Sequence, residues 1–338
     1  MADPLLSARV GERWVVRIRL PDQSATDRIG WVESVTPDAV VLTGADGTPT
    51  MVPRATVLAA RRTPAAAGGP DPRRVSAVEV ERHAVSGWLA DWEPLGQWTL
   101  RAADGFTGRA NSCHAVGDPG VPVATAAERI VAYAKEHGIP PMAMVISGSA
   151  EEQSLRNLGW LDTYMPTQVL VARLADVLGD QAAPEGVRVI ERLNDAWLAA
   201  YARSRPQPAD PAVPRRILDG HPPRAFAAAG STESLAAIGR GHVDDAWFGV
   251  AAVWVDPEHR RHGLATATVV ALGHWAARRG ARYAYVQVDR DNEVALNAYG
   301  RLGFTAHHGY LYLRPALTSI THTGRGRSGR SARRSSRA

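Results

Sequence analysis

The sequence predicts an α+β protein: a mixed, mostly antiparallel sheet flanked by helices, built twice in tandem behind a small all-β barrel. Three observations predict it. Residues 9–60 hold short alternating strands and no helical stretch. Two stretches, 63–72 (rich in Ala, Gly and Pro) and 180–186, read as linkers. The segments they bound share one order of helix, paired strands, helix, strand, short helix and strand, the sign of a duplication. Gly159-Trp160 in the first segment matches Gly303-Phe304 in the second.

In the leader (1–62), Trp14, Val16, Ile18 and Leu20 alternate with Val15, Arg17 and Arg19, giving a strand with one apolar face. Strands over 29–35, 39–43 and 50–57 follow, with Asp46-Gly47 as a hairpin turn. Four or five short strands are similar to SH3-like folds. After a linker (63–74), the middle segment (75–178) reads as a helix over 75–92 and strands over 98–102 and 109–116. A helix over 125–137 ends at Gly138. A buried strand over 142–146, a short helix over 151–158 and a strand over 168–173 complete it. The last segment (187–315) opens with a helix over 194–204, a Pro-rich stretch (206–214) and a short helix at 215–218. An antiparallel meander over 224–229, 234–240 and 246–255 leads to a helix from Leu264 to near Gly280. A strand over 283–288, a helix over 292–302 and a closing strand over 309–313 follow. The Ser/Gly/Arg tail (316–338) cannot build a core and is expected to be disordered.

Composition removes several function classes. The chain has 338 residues, enough for two or three domains, and no apolar run long enough for a membrane span. The start lacks a basic and apolar leader pattern, and Cys113 is the single cysteine, so a reducing cytoplasm is expected. The net charge is +5, but Arg325, Arg327, Arg330, Arg333, Arg334 and Arg337 crowd an acid-free tail. The rest is near neutral, so a nucleic-acid-binding body is not implied, and polyanion contact is expected only weakly through the tail. Lys135 is the single lysine, which excludes a Gly-Lys-Ser/Thr phosphate loop and a Schiff-base lysine elsewhere. No Gly-x-Ser-x-Gly elbow is present. His259, His262, His307 and His308 lack the spacing and partners of a ligand set, so no metal is expected.

One stretch carries chemistry. Strand residues 251–255 stop at Pro257, and Arg260-Arg261-His262-Gly263-Leu264-Ala265-Thr266 turns into a helix. Helix-start N–H groups have no partner inside the helix, and the helix dipole favours an anion there. Arg260 and Arg261 add positive charge. The turn fits the pattern Gln/Arg-x-x-Gly-x-Gly/Ala, and downstream stands Asn292-x-x-Ala295-x-x-x-Tyr299-x-x-x-Gly303-Phe304. In this order and separation, the two resemble the GNAT superfamily of N-acetyltransferases over residues 187–315. The tandem arrangement looks like mycothiol-synthase-type proteins. With the SH3-like leader it is similar to an actinobacterial GNAT group, some of which carry an N-acetylglutamate-synthase label.

The resemblance implies acetyl-CoA as co-substrate and direct attack of an amine on the thioester. Arg260, Arg261, His262, Gly263, Leu264, Ala265 and Thr266 would then hold the pyrophosphate. The edge at Val253 and Val255 would pair with the pantetheine amides, and Asn292 would hydrogen-bond that arm. Tyr299 would protonate the leaving thiolate, and a backbone N–H near Val253 would stabilise the oxyanion. Many relatives place a Glu on the strand before the loop, and residues 246–255 contain none. Asp244, Asp245, Glu233, His242 or a water chain is left as the base. The middle segment has Asp118-Pro119-Gly120-Val121-Pro122 where its loop should stand, and proline removes N–H donors, so no CoA is expected there. Residues 105–112 read either as a substrate-side wall or as a hairpin packed on Phe106. The acceptor expected is a small amine, with an amino acid such as glutamate implied by resemblance alone. Protein or peptide acetylation, and a non-catalytic CoA-sensing or nucleic-acid-binding scaffold, stand as alternatives; a homodimer is left open.

Overall fold

The computed structural model describes residues 4–5, 7–44, 47–64, 70–205, 210, 212–220, 223–231 and 234–316. The tail from 317, Asp46 of the hairpin turn, Glu233 and parts of the linker and Pro-rich stretches therefore lie outside the described residues.

The leader is a five-stranded antiparallel sheet in the order β4-β3-β2-β1-β5. Its strands are β1 (Arg13–Arg19), β2 (Ala25–Val35), β3 (Ala39–Thr43), β4 (Pro49–Pro53) and β5 (Val57–Thr63). The alternation holds: Trp14, Val16 and Ile18 are buried with Val32, Val40, Leu42 and Val52. The strand expected over 50–57 is instead divided by a 3-10 turn, Arg54–Thr56, because Pro53 has no N–H to continue a ladder. β4 and β5 are the two edges, so the hydrogen-bonded order is open rather than a closed barrel.

The middle segment begins with α1 (Ala77–Ser86), capped by the Ser76 side chain, which accepts from Glu79 N–H. It is shorter than its apolar pattern suggests; the chain turns at Gly87 and buries Trp88. Next come β6 (Asp91–Leu95), β7 (Trp98–Ala102) and β8 (Cys113–His114). The strand expected over 109–116 shrinks to β8 because residues 103–112 fold as a loop with a 3-10 turn, Gly108–Ala110. Then follow α2 (Val123–Glu136), β9 (Ala143–Ile146), α3 (Ala150–Asn157), β10 (Trp160–Asp162), β11 (Thr167–Arg173) and α4 (Leu174–Leu178).

The last segment holds β12 (Val187–Ile190), α5 (Asp195–Ser204), α6 (Ala212–Leu218), β13 (Arg224–Gly230), β14 (Leu235–Asp244) and β15 (Trp247–Val255). It closes with α7 (Leu264–Arg278), β16 (Tyr283–Asp289), α8 (Glu293–Arg301) and β17 (Thr305–Pro315). The two segments share a topology. β8 and β9 are parallel across helix α2, as β15 and β16 are across α7, and antiparallel strands precede each pair.

The two segments are not self-contained. One twelve-stranded sheet runs β12-β13-β14-β15-β16-β11-β17-β9-β8-β7-β6, with β10 on β17. Each segment lends its last long strand to the other: β11 lies against β16, and β17 lies against β9. Strand order along the chain says nothing about which edge a strand joins, so this exchange is not visible in sequence. α7 covers β13, β14 and β15 on one face, where Val269, Leu272 and Ala276 join the largest core cluster. Among the described residues, no helix is long and apolar enough to cross a membrane.

Candidate active site

The site begins with a splay between two parallel strands. β15 and β16 pair only from Trp247↔Tyr283 to Val250↔Val286. Just beyond, β15 carries a bulge. Ile238 opposes Trp254 and Arg240 opposes Ala251, so two β15 residues, Ala252 and Val253, face Gly239 alone. Ala252 takes a left-handed φ of 52° to accommodate this. A side chain at Gly239 would come within 2.6 Å of Thr268 on α7, so glycine lets the helix close over the bulge. The bulge bends β15 away from β16, and the strands part into a V.

The lower wall of the V is the turn into α7. Asp256 accepts from Glu258 N–H and caps a 3-10 turn, Pro257–His259. Arg261 (φ 67°) and Gly263 (φ 75°) are both left-handed, and only at Gly263 is that conformation free of strain. Gly263 offers no side chain to cap α7, and the first helical N–H bond runs from Ala267 to Gly263 C=O. Leu264, Ala265 and Thr266 therefore direct their N–H groups outward, toward the side on which Arg260 and Arg261 stand. The opposite wall is α8. Asn292 is its N-cap, with Oδ1 accepting from Ala295 N–H at 3.1 Å. That leaves the Asn292 amide nitrogen as a donor.

Two cavities meet in the V. The larger, about 610 Å³, is lined by Val253, Trp254, Val255, Arg260, Arg261, Gly263, Leu264, Ala265, Thr266, Asn292, Ala295 and Tyr299, among others. The smaller, about 220 Å³, lies on the other side and is bounded by Trp88, Arg109, Arg205, Ala251, Ala252, Gln287 and Asp289. Val253, Asn292, Ala295 and Tyr299 line both. Tyr299 is 9 % exposed and packs edge-on against Phe304 at 5.5 Å. Burial pushes its phenol well above the ordinary tyrosine value, so it stands as a proton donor at neutral pH.

Nearly all of the cofactor-side residues expected from sequence thus line one cleft. His262 does not; it is exposed, with Nδ1 3.3 Å from His259 C=O. The carboxylates expected as base are not brought there either. Asp244 and Asp245 form the turn at the start of β15, and Asp244 is engaged with His83 Nδ1 at 2.6 Å. From Trp247 to Val253 the strand advances six residues, roughly 20 Å at extended rise, so these groups are far from the bulge. His242 is buried against the Tyr285 hydroxyl, 2.8 Å away. Sequence reasoning missed Asp289, the one carboxylate among the described residues lining either cavity. Its position at the end of the strand before Asn292 was a usable signal.

Sequence reasoning also left open what residues 105–112 do. Asn111 knits this loop: its Oδ1 accepts from Ala103 N–H and Gly105 N–H, and its Nδ2 donates to Thr107 C=O. Ser112 Oγ donates to Gly108 C=O. The loop delivers Arg109 from the middle segment into the smaller cavity, where Nε donates to the Tyr310 hydroxyl at 2.9 Å and Nη2 to Gln287 C=O. Phe106 packs on Tyr201, so the stretch is both packed hairpin and cavity wall.

In the middle segment the corresponding turn is closed. Gly117, Asp118 and Gly120 N–H groups are taken by the side chains of Glu151, Gln97 and Asp118. Among the described residues, no side chain caps the Gly263 turn in this way.

With this geometry in view, the comparisons with known proteins decide the family. Residues 75–313 match the family model described as "Probable histone acetyltransferase Rv0428c C-terminal". The chain belongs to this family. It is also 25% identical over 240 residues to the uncharacterized N-acetyltransferase YobR of Bacillus subtilis, covering 68% of this chain and 96% of that one. Its fold is similar to the solved structure of a GCN5-related N-acetyltransferase from Kribbella flavida, with 17% identity and a TM-score of 0.53. That match covers 73% of this chain and 98% of the other. The protein is an N-acetyltransferase with a GNAT-like fold.

Proposed function

We propose that the chain transfers an acetyl group from acetyl-CoA to the amine of a small molecule by direct attack on the thioester. The observation that carries this is the junction: Val253, Asn292, Ala295 and Tyr299 line both cavities at once. A donor entering from the larger cavity and an amine entering from the smaller one meet there. The donor pyrophosphate rests on the outward N–H groups of Leu264, Ala265 and Thr266 beside Arg260 and Arg261. The β16-facing edge of residues 251–255, freed by the splay, receives the pantetheine amides, and Asn292 donates to that arm. The amine nitrogen bonds to the carbonyl carbon, and the oxyanion that forms accepts from the Val253 N–H at the bulge. The carbon–sulfur bond then breaks, and Tyr299 gives its proton to the leaving thiolate. Asp289 takes a proton from the substrate ammonium before the amine attacks, and the second proton, lost from nitrogen as the amide forms, restores Tyr299.

We take the middle segment as a GNAT-like unit without a donor site and the leader as SH3-like, with glutamate as one amino acid worth testing. Purified protein is mixed with acetyl-CoA and a panel of amines, and free thiol release is followed. At least one amine is expected to accelerate release, and Tyr299→Phe to slow it about 100-fold. Release that no amine accelerates would contradict the reading.

A further inference from the structure

We infer that the acceptor amine carries an oxyanion, a carboxylate or a phosphate, held by Arg109 and Arg205 in the smaller cavity. This deepens the acetyl-transfer reading and rests on it. Two guanidiniums, Arg109 and Arg205, line this cavity against a single carboxylate, Asp289. Arg109 is held by Tyr310 and Gln287 through Nε and Nη2, and its Nη1 takes no part in those bonds. Arg205 stands at the end of α5, its guanidinium 4.6 Å from the centre of the Tyr201 ring.

A third guanidinium lies behind the wall. Arg240 is fully buried on β14, opposite Ala251, and the two side chains share one face of the sheet. Its guanidinium lies 5.3 Å from the Trp88 ring, and that ring also has Arg109 at 5.7 Å. Arg240 Nε donates to Leu218 C=O, while Nη1 and Nη2 are buried without a hydrogen-bond partner among the described residues. A buried charge left so under-matched projects positive potential on the space beside it. Glu81 is engaged by His308 and His114, and it lines a neighbouring small void that Trp88, Arg109 and Gln287 also border.

The balance in the acceptor cavity is therefore positive, with one carboxylate at the end nearest Asn292. An amine bearing an oxyanion fits it in one sense only. The oxyanion meets Arg109 and Arg205, and the ammonium meets Asp289 and points to the junction at Tyr299. Positive surroundings also favour the neutral, nucleophilic form of the amine. That suits a site whose β15 strand has no carboxylate. A polyamine or lysine-rich peptide would bring cations against guanidiniums.

The test uses matched acceptors on the full chain: amino acids, their carboxamides, phosphate-bearing amines, diamines and a lysine-rich peptide. The kcat/KM of the acids, the phosphate-bearing amines or both is expected to exceed that of the carboxamides and diamines by about tenfold or more. Which of the two is preferred identifies the oxyanion. Arg109→Gln and the exposed Arg205→Gln are each expected to raise the acceptor KM about tenfold while leaving acetyl-CoA affinity unchanged. Arg205→Glu should move preference toward diamines. Equal or better use of carboxamides, diamines or the basic peptide, or no effect of either arginine variant, would overturn the inference. Failure of the unaltered chain to bind acetyl-CoA would instead sink the transfer reading beneath it.

Discussion

At the scale of single residues, the proposed mechanism divides proton handling between Tyr299 and Asp289. Tyr299 acts only while protonated, and burial raises its value. The alkaline limb of its contribution to kcat should therefore lie above the ordinary tyrosine value of about 10, and it should vanish in Tyr299→Phe. A pH–rate profile of both proteins checks this. Asp289→Asn is expected to lower kcat/KM by about 10- to 100-fold, whereas Asp244→Asn should leave it unchanged. Equal losses would return the base to the β14–β15 turn. Tyr299 was legible in sequence because its motif is local, one helix with fixed spacing. Arg109 was legible only as part of the 105–112 stretch read as a wall or a packed hairpin, and Asp289 only by its place before Asn292, because their relevance depends on where a distant loop lands and where β16 ends.

At the scale of elements, Glu81 joins three pieces. From α1, its carboxylate is 3.0 Å from His308 on β17 and 3.4 Å from His114 on β8. Burial alone would raise its value, but hydrogen bonds from His114 and His308 outweigh burial and hold it down at about 2. A depressed carboxylate contributes stability above its unfolded value, and that stability is lost as pH falls toward about 2. Chemical denaturation between pH 7 and pH 3 should therefore show a loss in the native chain that is smaller in Glu81→Gln, by an amount on the order of a few kcal/mol. The strand exchange makes a second prediction. Residues 187–316 alone leave β16 without β11 and β17 without β9, exposing unpaired edges. That fragment should be insoluble or unfolded by circular dichroism, and co-expression with residues 70–186 should restore it. The helices and the Gly263 turn were readable from periodicity and glycine placement. The exchange was not, since either order of β11 and β17 satisfies the same alternation.

At the scale of the whole molecule, the leader packs where α4 of the middle segment meets α7 of the last. Trp31 of β2 is buried in the same cluster as Leu174, Leu178 and Val269, and Arg62 donates to Asp180 C=O at 2.8 Å. Trp31→Ala should cost about 3–5 kcal/mol by calorimetry while leaving kcat within a factor of two, since among the described residues none from the leader lines either cavity. The two halves share a topology but differ at the turn before the helix: the Gly117–Gly120 turn spends its N–H groups on the chain's own side chains, and at the Gly263 turn no side chain among the described residues caps the helix. The most direct test is calorimetric titration of the full chain with acetyl-CoA. One equivalent per chain should bind, and Gly263→Asp, which strains the turn and puts a carboxylate at the phosphates, should abolish it. No binding, two equivalents, or binding unchanged by Gly263→Asp would contradict this account.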